Sequence, residues 1–566
     1  MATWKLKDPD PAHVARLADE FKASEIIARV LASRGVESLA ASRAFFTPNL
    51  TNLHDPFQMK NMDKAAKLVK SHVGRKKKVL IFGDYDVDGT TGSAALYLFL
   101  DGIGCHTKVY IPDRITEGYG LSKTGIDAAK DWGADLLISC DCGINATEEV
   151  AYAKSHEMKI IITDHHTSDD RLPDADAILN PKLSGCDYPF KSLCGGAIVF
   201  KLMQAVAELL GLGEEAVFKH LDLITLGTAA DIVPLTDENR VIVAHGLELL
   251  AKTQKPGLRA LLEVSGLGGK PLTVGRMLFR AAPRINAAGR LGDANRAVRL
   301  LTTDSFSEAE KLAGELDDEN RERQEIQQSV VDDAIRKVNA EIDLEKESAI
   351  VLWKEAWHEG VIGIVASKIK ETYHRPTVII SLTNGTGKGS ARSVAGFDLF
   401  KNLTLCKDLL ESYGGHPMAA GLTVNIEKLD DFRNRFSTLA REMLDSSQLV
   451  NALDIEGEID LNLIDRRFMK FLEKLAPFGP GNMTPKFITR NVIPAGNPRL
   501  VGKGNDHLKF SARQGNTSYD AIGFNQGNHF EKMINGKPID IAYVVEENEW
   551  QGNSSIQLNI RDIKQG

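Results

Sequence analysis

A chain of 566 residues is too long for one hydrophobic core and implies several domains. Apolar residues make up 43% and charged residues 26%, as in globular proteins, and no apolar run reaches the length of a membrane span. The net charge of -8 excludes a polycation that coats nucleic acid wholesale, but it leaves room for local basic clefts.

The apolar periodicity of VARLADEFKASEIIARVLASRG predicts a helical lead-in over 1–50. The N-terminus lacks the apolar core of a secretory signal. The six cysteines are scattered and form no C-x-x-C pair, which implies reduced thiols and a cytoplasmic protein. From residue 51 the pattern alternates. Strand-like runs KVLIF (78–82), TKVYI (107–111), DLLISC (135–140), KIIIT (159–163) and DAILN (176–180) are separated by helix-like stretches. Short apolar strands alternating with helices predict an α/β, doubly wound parallel sheet over 51–303, with ligands beyond the carboxyl ends of its strands. Residues 304–345 are dense in both charges and lack proline, which predicts a long connector helix. A second, smaller α/β unit follows over 346–447, with strands AIVLW (349–353) and PTVIISL (376–382). Short alternating strands with Gly and Asn turns then predict a small β-barrel over 448–566.

The chemistry concentrates at the strand ends. KVLIF runs into Gly83, followed by Asp84, Asp86 and Asp88. On an extended segment these three carboxylates would share one face and repel, so something positive is expected among them. Strand 135–140 ends in Asp141, strand 159–163 in Asp164, His165 and His166, and the apolar run LDLITLGTAA in Asp231. Carboxylate and imidazole without thiolate suit Mn2+, Mg2+ or Zn2+, and so many acids exceed the needs of one ion. A pair of ions sharing a carboxylate is the usual arrangement for activating water and steadying a phosphoryl centre. Taken singly, a D-x-D pair is a solvated turn and a His-His pair a surface or core feature. Four such segments in succession after apolar runs resist that explanation.

FGDYDVDG, DCG, DHH and GTAADIVPL resemble the first four motifs of the DHH phosphoesterase superfamily. GSARS (389–393) and GGHPMAAG (414–421) resemble its associated domain. APRINAAGR (282–290) and LAPFGPGN (475–482) narrow the likeness to the superfamily's single-strand-specific 5′ exonucleases. The resemblance implies two divalent cations, Mn2+ or Mg2+. Asp84 and Asp86 would lean toward one ion and Asp88 toward the other, Asp141 would bridge, and His165 and Asp231 would complete the second site. It gives His166 the scissile phosphate and Asp164 the task of orienting the histidines. Ser390 and Arg392 would form a 5′-phosphate pocket, with Arg284, Asn286, Arg290 and His416 as further substrate groups. Arg114 would hold backbone and Tyr119 would stack a base. The terminal barrel resembles an OB-fold that grips strand, with Lys503, Lys509, Phe510 and Arg513 as candidates against a core role for Phe510.

The resulting expectation is a metal-dependent 5′-to-3′ exonuclease releasing mononucleotides from single-stranded DNA in recombination and repair. Its partners would be a single-strand DNA-binding protein and a helicase, with no membrane association, and family likeness implies a monomer. The alternatives are a small-substrate phosphoesterase for oligonucleotides or cyclic dinucleotides, and an inactive replication scaffold. On the first reading, truncation near residue 448 should spare hydrolysis of very short oligonucleotides and weaken binding of long strands.

Overall fold

The computed structural model describes residues 2–75, 77–114, 116–169, 171–550 and 553–565. Among them no helix is long and apolar enough to cross a membrane. The chain opens on a strand, β1 (Thr3–Leu6), which the helical periodicity of this region does not foresee. It pairs in parallel with the strand Ala452–Ile455, a partner at the far end of the sequence that no local pattern can report. Three helices follow, Pro11–Phe21, Glu25–Ala32 and Leu39–Phe46.

The first lobe is built on five parallel strands, β2 (Lys78–Gly83), β3 (His106–Tyr110), β4 (Leu136–Cys140), β5 (Lys159–Thr163) and β6 (Ala177–Leu179). Their order is β3-β2-β4-β5-β6, so the crossovers diverge on either side of β2. β2, β4 and β5 are buried on both faces, which is why they read as continuous apolar runs rather than alternating ones. The apolar run 221–230 is a helix, Leu221–Ala230, and not the strand that its hydrophobicity invites. Nine of its ten residues are buried, so it carries no polar stripe to betray a helical period.

The helix Phe306–Glu341 spans two cores. Ala309, Leu312, Ala313 and Leu316 pack into the first lobe. Val330, Val331, Ala334 and Val338 pack against Ile350, Val365 and Ile379 of the second. The second lobe is a five-stranded mixed sheet of β7 (Ile350–Glu355), β8 (Thr377–Thr383), β9 (Thr386–Arg392), β10 (Leu410–His416) and β11 (Ala419–Asn425), in the order β10-β11-β9-β8-β7.

After β12 (Ala452–Ile455) and β13 (Gly457–Glu458), five strands close a barrel: β14 (Phe487–Val501), β15 (His507–Gln514), β16 (Thr517–Gly523), β17 (Ile539–Trp550) and β18 (Asn553–Gln565). They run β14-β15-β16-β18-β17, and β17 returns to pair with β14. The barrel shares its core with the N-terminal helices: Leu17, Val30 and Leu31 lie in one cluster with Phe468, Phe487 and Tyr543. Phe510 belongs to that core at 3% exposure and is no platform for bases. The period of two along β15 turns it inward and leaves Arg513 on the outer face.

The barrel region is fastened to the first lobe beside Asp231. Leu235 N–H donates to Pro480 O at 2.7 Å. The buried Arg240 guanidinium donates to the carbonyls of Phe45, Ala476 and Pro477.

Candidate metal centre

The FGDYDVDG segment does not run on as a strand. β2 ends at Gly83 and a helix, Val87–Gly102, begins three residues after Asp84. Asp84 therefore lies in a turn. Asp86 is the helix N-cap, accepting from Gly89 N–H at 3.0 Å, and Asp88 lies in the first helical turn. The carboxylates converge because the chain reverses around them, and the helix N-terminus favours their charge. Both Asp88 oxygens accept from Gly196 N–H, at 3.2 and 3.3 Å, at the start of the helix Gly195–Leu210.

Asp141 follows β4 with φ of 65°, a left-handed conformation that costs a non-glycine residue on the order of 1–2 kcal/mol. A Cβ on Gly195 would lie 2.5 Å from Asp141 Cβ, so only glycine allows this helix start to close over the carboxylate. Asp141 Oδ1 is 3.2 Å from His165 Nε2, which is 3.6 Å from Asp231 Oδ2. Asp164 is nearly fully buried; its Oδ1 accepts from His166 Nδ1 at 2.7 Å and its Oδ2 from Ile144 N–H at 2.9 Å.

Ligand atoms of Asp84, Asp86 and Asp141 all lie within 4.8 Å of one another. So do those of Asp88, His165 and Asp231, and those of Asp141, His165 and His166. Asp141 is common to two of these groups. Four of the atoms, Asp84 Oδ1, Asp141 Oδ1, His165 Nε2 and Asp231 Oδ2, are buried without a hydrogen-bond partner. Buried polar atoms are rarely left so, and a convergent set of oxygen and imidazole donors fits a divalent cation.

The electrostatics agree with that fit. Burial, then Asp86, pushes the Asp88 carboxyl up to about 7. Burial, then Asp88 and Asp86, pushes Asp231 up to about 9. Asp84 and Asp141 rise well above the ordinary carboxylate range, again from burial first and neighbouring aspartates second. Burial and His166 hold His165 down at about 3, leaving a neutral imidazole as metal ligation requires. Burial opposes charge on His166, but the bond to Asp164 outweighs it and raises its pKa.

Tyr119 lies beside this centre and is 55% exposed. Its hydroxyl is 3.2 Å from both Asp141 O and His166 Nδ1. Arg114 covers the Tyr85 ring at 5.0 Å. Ser390 and Arg392 end β9, where Arg392 Nη1 donates to Ser390 Oγ at 3.1 Å. A Cβ on Gly363 would fall 3.1 Å from both, so these two groups crowd the first turn of the helix Ile362–Tyr373. His416 projects from the β10–β11 hairpin and stacks on His166.

Arg284 does not share a face with Asn286 and Arg290. All three lie on the helix Ala282–Leu291, where two residues turn the chain by about 200°. Arg284 is committed to Asp317 at 2.8 Å and to the carbonyls of Arg280 and Val264. Arg290, one turn from Asn286, reaches Gly360 O of the second lobe at 2.9 Å.

Two groups escaped the sequence. Lys182 Nζ donates to His165 O at 2.5 Å, and Asn180 Nδ2 to His166 O at 2.9 Å. The signal for them was the polar NPK stretch just past β6, at a strand end like the others.

Three family profiles match the chain: "DHH family, N-terminal domain" over residues 78–228, "DHHA1 domain" over 346–442 and "RecJ OB domain" over 455–562. The "Single-stranded-DNA-specific exonuclease RecJ" of Bacillus subtilis is 37% identical over 565 residues, covering 99% of this chain and 70% of the relative. That of Salmonella typhimurium is 35% identical over 561 residues, covering 95% of each. The crystal structure of RecJ in complex with Mn2+ from Thermus thermophilus superposes with a TM-score of 0.85 at 30% identity, covering 100% of this chain and 80% of that one. Likeness over the whole length, in sequence and in fold, places this chain in the RecJ family of DHH proteins.

Proposed function

We propose that this protein is a metal-dependent exonuclease that hydrolyses single-stranded DNA from a 5′ end and releases mononucleotides, in DNA repair and recombination. The observation that carries the reading is the set of four buried, unpartnered ligand atoms on Asp84, Asp141, His165 and Asp231, in a family whose named members are single-strand-specific exonucleases. Asp84, Asp86 and Asp141 would hold one divalent cation, and Asp88, Asp141, His165 and Asp231 a second, Mn2+ or Mg2+. When bound, such ions supply Lewis-acid charge to a phosphoryl oxygen and acidify an attacking water.

The remaining work falls to the chain itself. Asp164 fixes the His166 ring through Nδ1 and favours its protonated form, so Nε2 can donate to a phosphoryl oxygen as charge develops there. Tyr119 steadies both His166 and the Asp141 carbonyl. Lys182 and Asn180 hold the backbone of the two histidines and set their height over the sheet. Ser390, Arg392 and the first turn of the helix Ile362–Tyr373 would take the 5′-phosphate. The first lobe would end near residue 303, the connector near 345 and the second lobe near 447. Substrate supply would come from a helicase and a single-strand DNA-binding protein.

Degradation of labelled single strands, compared with duplexes and dinucleotides in Mn2+ or Mg2+, tests the reading. Mononucleotides should appear from the 5′ end of single strands alone. Activity confined to dinucleotides would favour a small-substrate phosphodiesterase, and none at all a scaffold.

A further inference from the structure

Just past Asp231, the helix Asp237–Ala251 opens with three consecutive buried polar side chains, Glu238, Asn239 and Arg240. Each is committed to a different part of the chain. Glu238 accepts from His54 N–H at 2.8 Å and from the Tyr188 hydroxyl at 2.6 Å, and pairs with the buried Lys201 at 2.5 Å. Arg240 donates to the carbonyls of Phe45, Ala476 and Pro477. Asn239 donates from Nδ2 to Ser192 O at 2.7 Å and to Pro234 O at 3.0 Å. Its Oδ1 is buried without a partner. A buried acceptor left unpaired is destabilising, so the two donated bonds are what this side chain contributes.

The two carbonyls belong to the two segments that bring ligands together. Ser192 leads into Gly196, whose N–H donates to both Asp88 oxygens, and into Gly195, which closes over Asp141. Pro234 follows Asp231 in the same turn. Asp88, His165 and Asp231 form one ligand group, so Asn239 joins the backbone behind two of its three members. Nearer the ligands the same segments meet through Cys194 Sγ and Thr228 Oγ1 at 3.4 Å, and a thiol is a weak partner. The Asp231 side of this tie is strained. Ile232 has φ of 61°, a left-handed conformation that is an outlier for a β-branched residue. Its side chain is 59% exposed, so its own burial does not offset the strain. The turn persists because the chain is fixed beyond it, at Pro234 by Asn239 and at Leu235 by Pro480.

We propose that Asn239 is a positioning residue for the metal centre: by joining Ser192 to Pro234 it holds the strained Asp231–Ile232 turn and sets Asp231 and Asp88 at the spacing that a divalent cation requires. The inference rests on the metal reading of the centre given above. Asn239 itself touches neither substrate nor ion. An asparagine that only satisfied the start of its helix would add to stability and leave metal affinity alone.

Mn2+ titrations of the full-length protein, well below its Tm, separate the two roles. Calorimetry gives the Kd for Mn2+, and nuclease turnover gives its activation midpoint. Asn239→Leu keeps the approximate volume and removes both donors. Its Kd should rise by roughly tenfold or more, the loss seen when groups behind metal ligands are removed. The activation midpoint should shift in parallel, while kcat at saturating Mn2+ approaches the wild-type value. Ile232→Gly adopts the left-handed turn without strain, so adding it to Asn239→Leu should recover part of the lost affinity. Tyr188→Phe loosens the same helix start through Glu238; it should lower Tm and leave the Kd unchanged. If Asn239→Leu does not fold, Asn239→Ser, with a hydroxyl for one of the two carbonyls, reads the same quantities with a smaller shift. A folded Asn239 variant with the wild-type Kd overturns the proposal. So does an equal rise in Kd for Tyr188→Phe, or a double variant with no recovery. A wild-type protein that binds no Mn2+ overturns the metal reading itself, before any variant is compared.

Discussion

His416 of the second lobe stacks on His166 of the first, with ring centres 6.3 Å apart and planes within 10°. His166 is tied to Asp164 at the metal centre, whereas His416 is exposed at a hairpin tip. The stack is therefore where the second lobe reaches the ligand cluster of the first. His416→Ala removes little buried surface, so Tm should barely move. Turnover of single strands should fall on the order of 10²-fold if His416 touches the reacting phosphate or aligns His166. Unchanged turnover would make the stack incidental.

Asp141 is the carboxylate shared between two ligand groups. Asp141→Asn keeps the side-chain shape, and asparagine tolerates the left-handed backbone at this position. The variant should lose hydrolysis. Without metal its Tm should hold or rise, because a buried charge among like charges has gone. Added Mn2+ should stabilise wild type by linkage and the variant far less. Thermal melts with and without Mn2+ check this, and wild-type turnover by the variant would remove Asp141 from the centre.

His220 precedes the helix that ends in Asp231, and both its ring nitrogens are buried without partners. Burial, then Lys255 and Lys219, lowers its pKa to about 3. The unfolded chain, with a histidine pKa of about 6.5, therefore binds the extra proton between about pH 6.5 and 3 while the fold does not. Stability from this group is complete above about pH 6.5 and is lost as pH falls, by up to about 2 kcal/mol at pH 5. Calorimetric melts at pH 7 and 5 should show a smaller acid-induced drop for His220→Leu than for wild type. Equal drops would mean that the acid sensitivity lies elsewhere.

Arg392 is half-buried and bonded to Ser390 beside a helix N-terminus. Arg392→Ala should cost about 1.5–3 kcal/mol, roughly 10- to 150-fold, on strands with a 5′-phosphate and much less on 5′-hydroxyl strands. Steady-state kinetics on the two substrates decide it, and an equal loss would make Arg392 structural.

Much of this architecture was legible, for definite reasons. β2, β4 and β5 announce themselves because parallel strands buried on both faces are continuous apolar runs. Asp141 stands out directly after β4, His165 two residues past β5, and Asp231 directly after the apolar helix Leu221–Ala230. Lys182 and Asn180 were missed because they act on backbone carbonyls, which any residue supplies. Arg284 was grouped with Arg290 because adjacency in sequence says nothing of helical phase. β1 and the shared core of the N-terminal helices and the barrel are contacts between chain ends, which periodicity does not reach.

That shared core changes what truncation should do. Cutting near residue 448 removes Phe468, Phe487 and Tyr543 and leaves Leu17, Val30 and Leu31 without cover. At about 25 cal/mol per Å² of apolar surface, such exposure destabilises and invites aggregation. It also takes the Ala476 and Pro477 carbonyls from Arg240 and the Pro480 carbonyl from Leu235, four residues past Asp231. The form that should fold spans 48–448, because it removes the N-terminal helices together with the barrel and also frees Arg240 from Phe45. The two lobes and the connector keep their own cores. This form should still hydrolyse very short oligonucleotides, with weaker metal affinity because the Asp231 segment loses its brace. Binding of long single strands should fall with a shallower salt dependence if the barrel contacts phosphates. Titrations against salt with both forms check this. Long-strand affinity and a salt slope equal to those of the full chain would remove the barrel from the binding track. A soluble, fully active 1–448 form would show that the N-terminal helices stand without it.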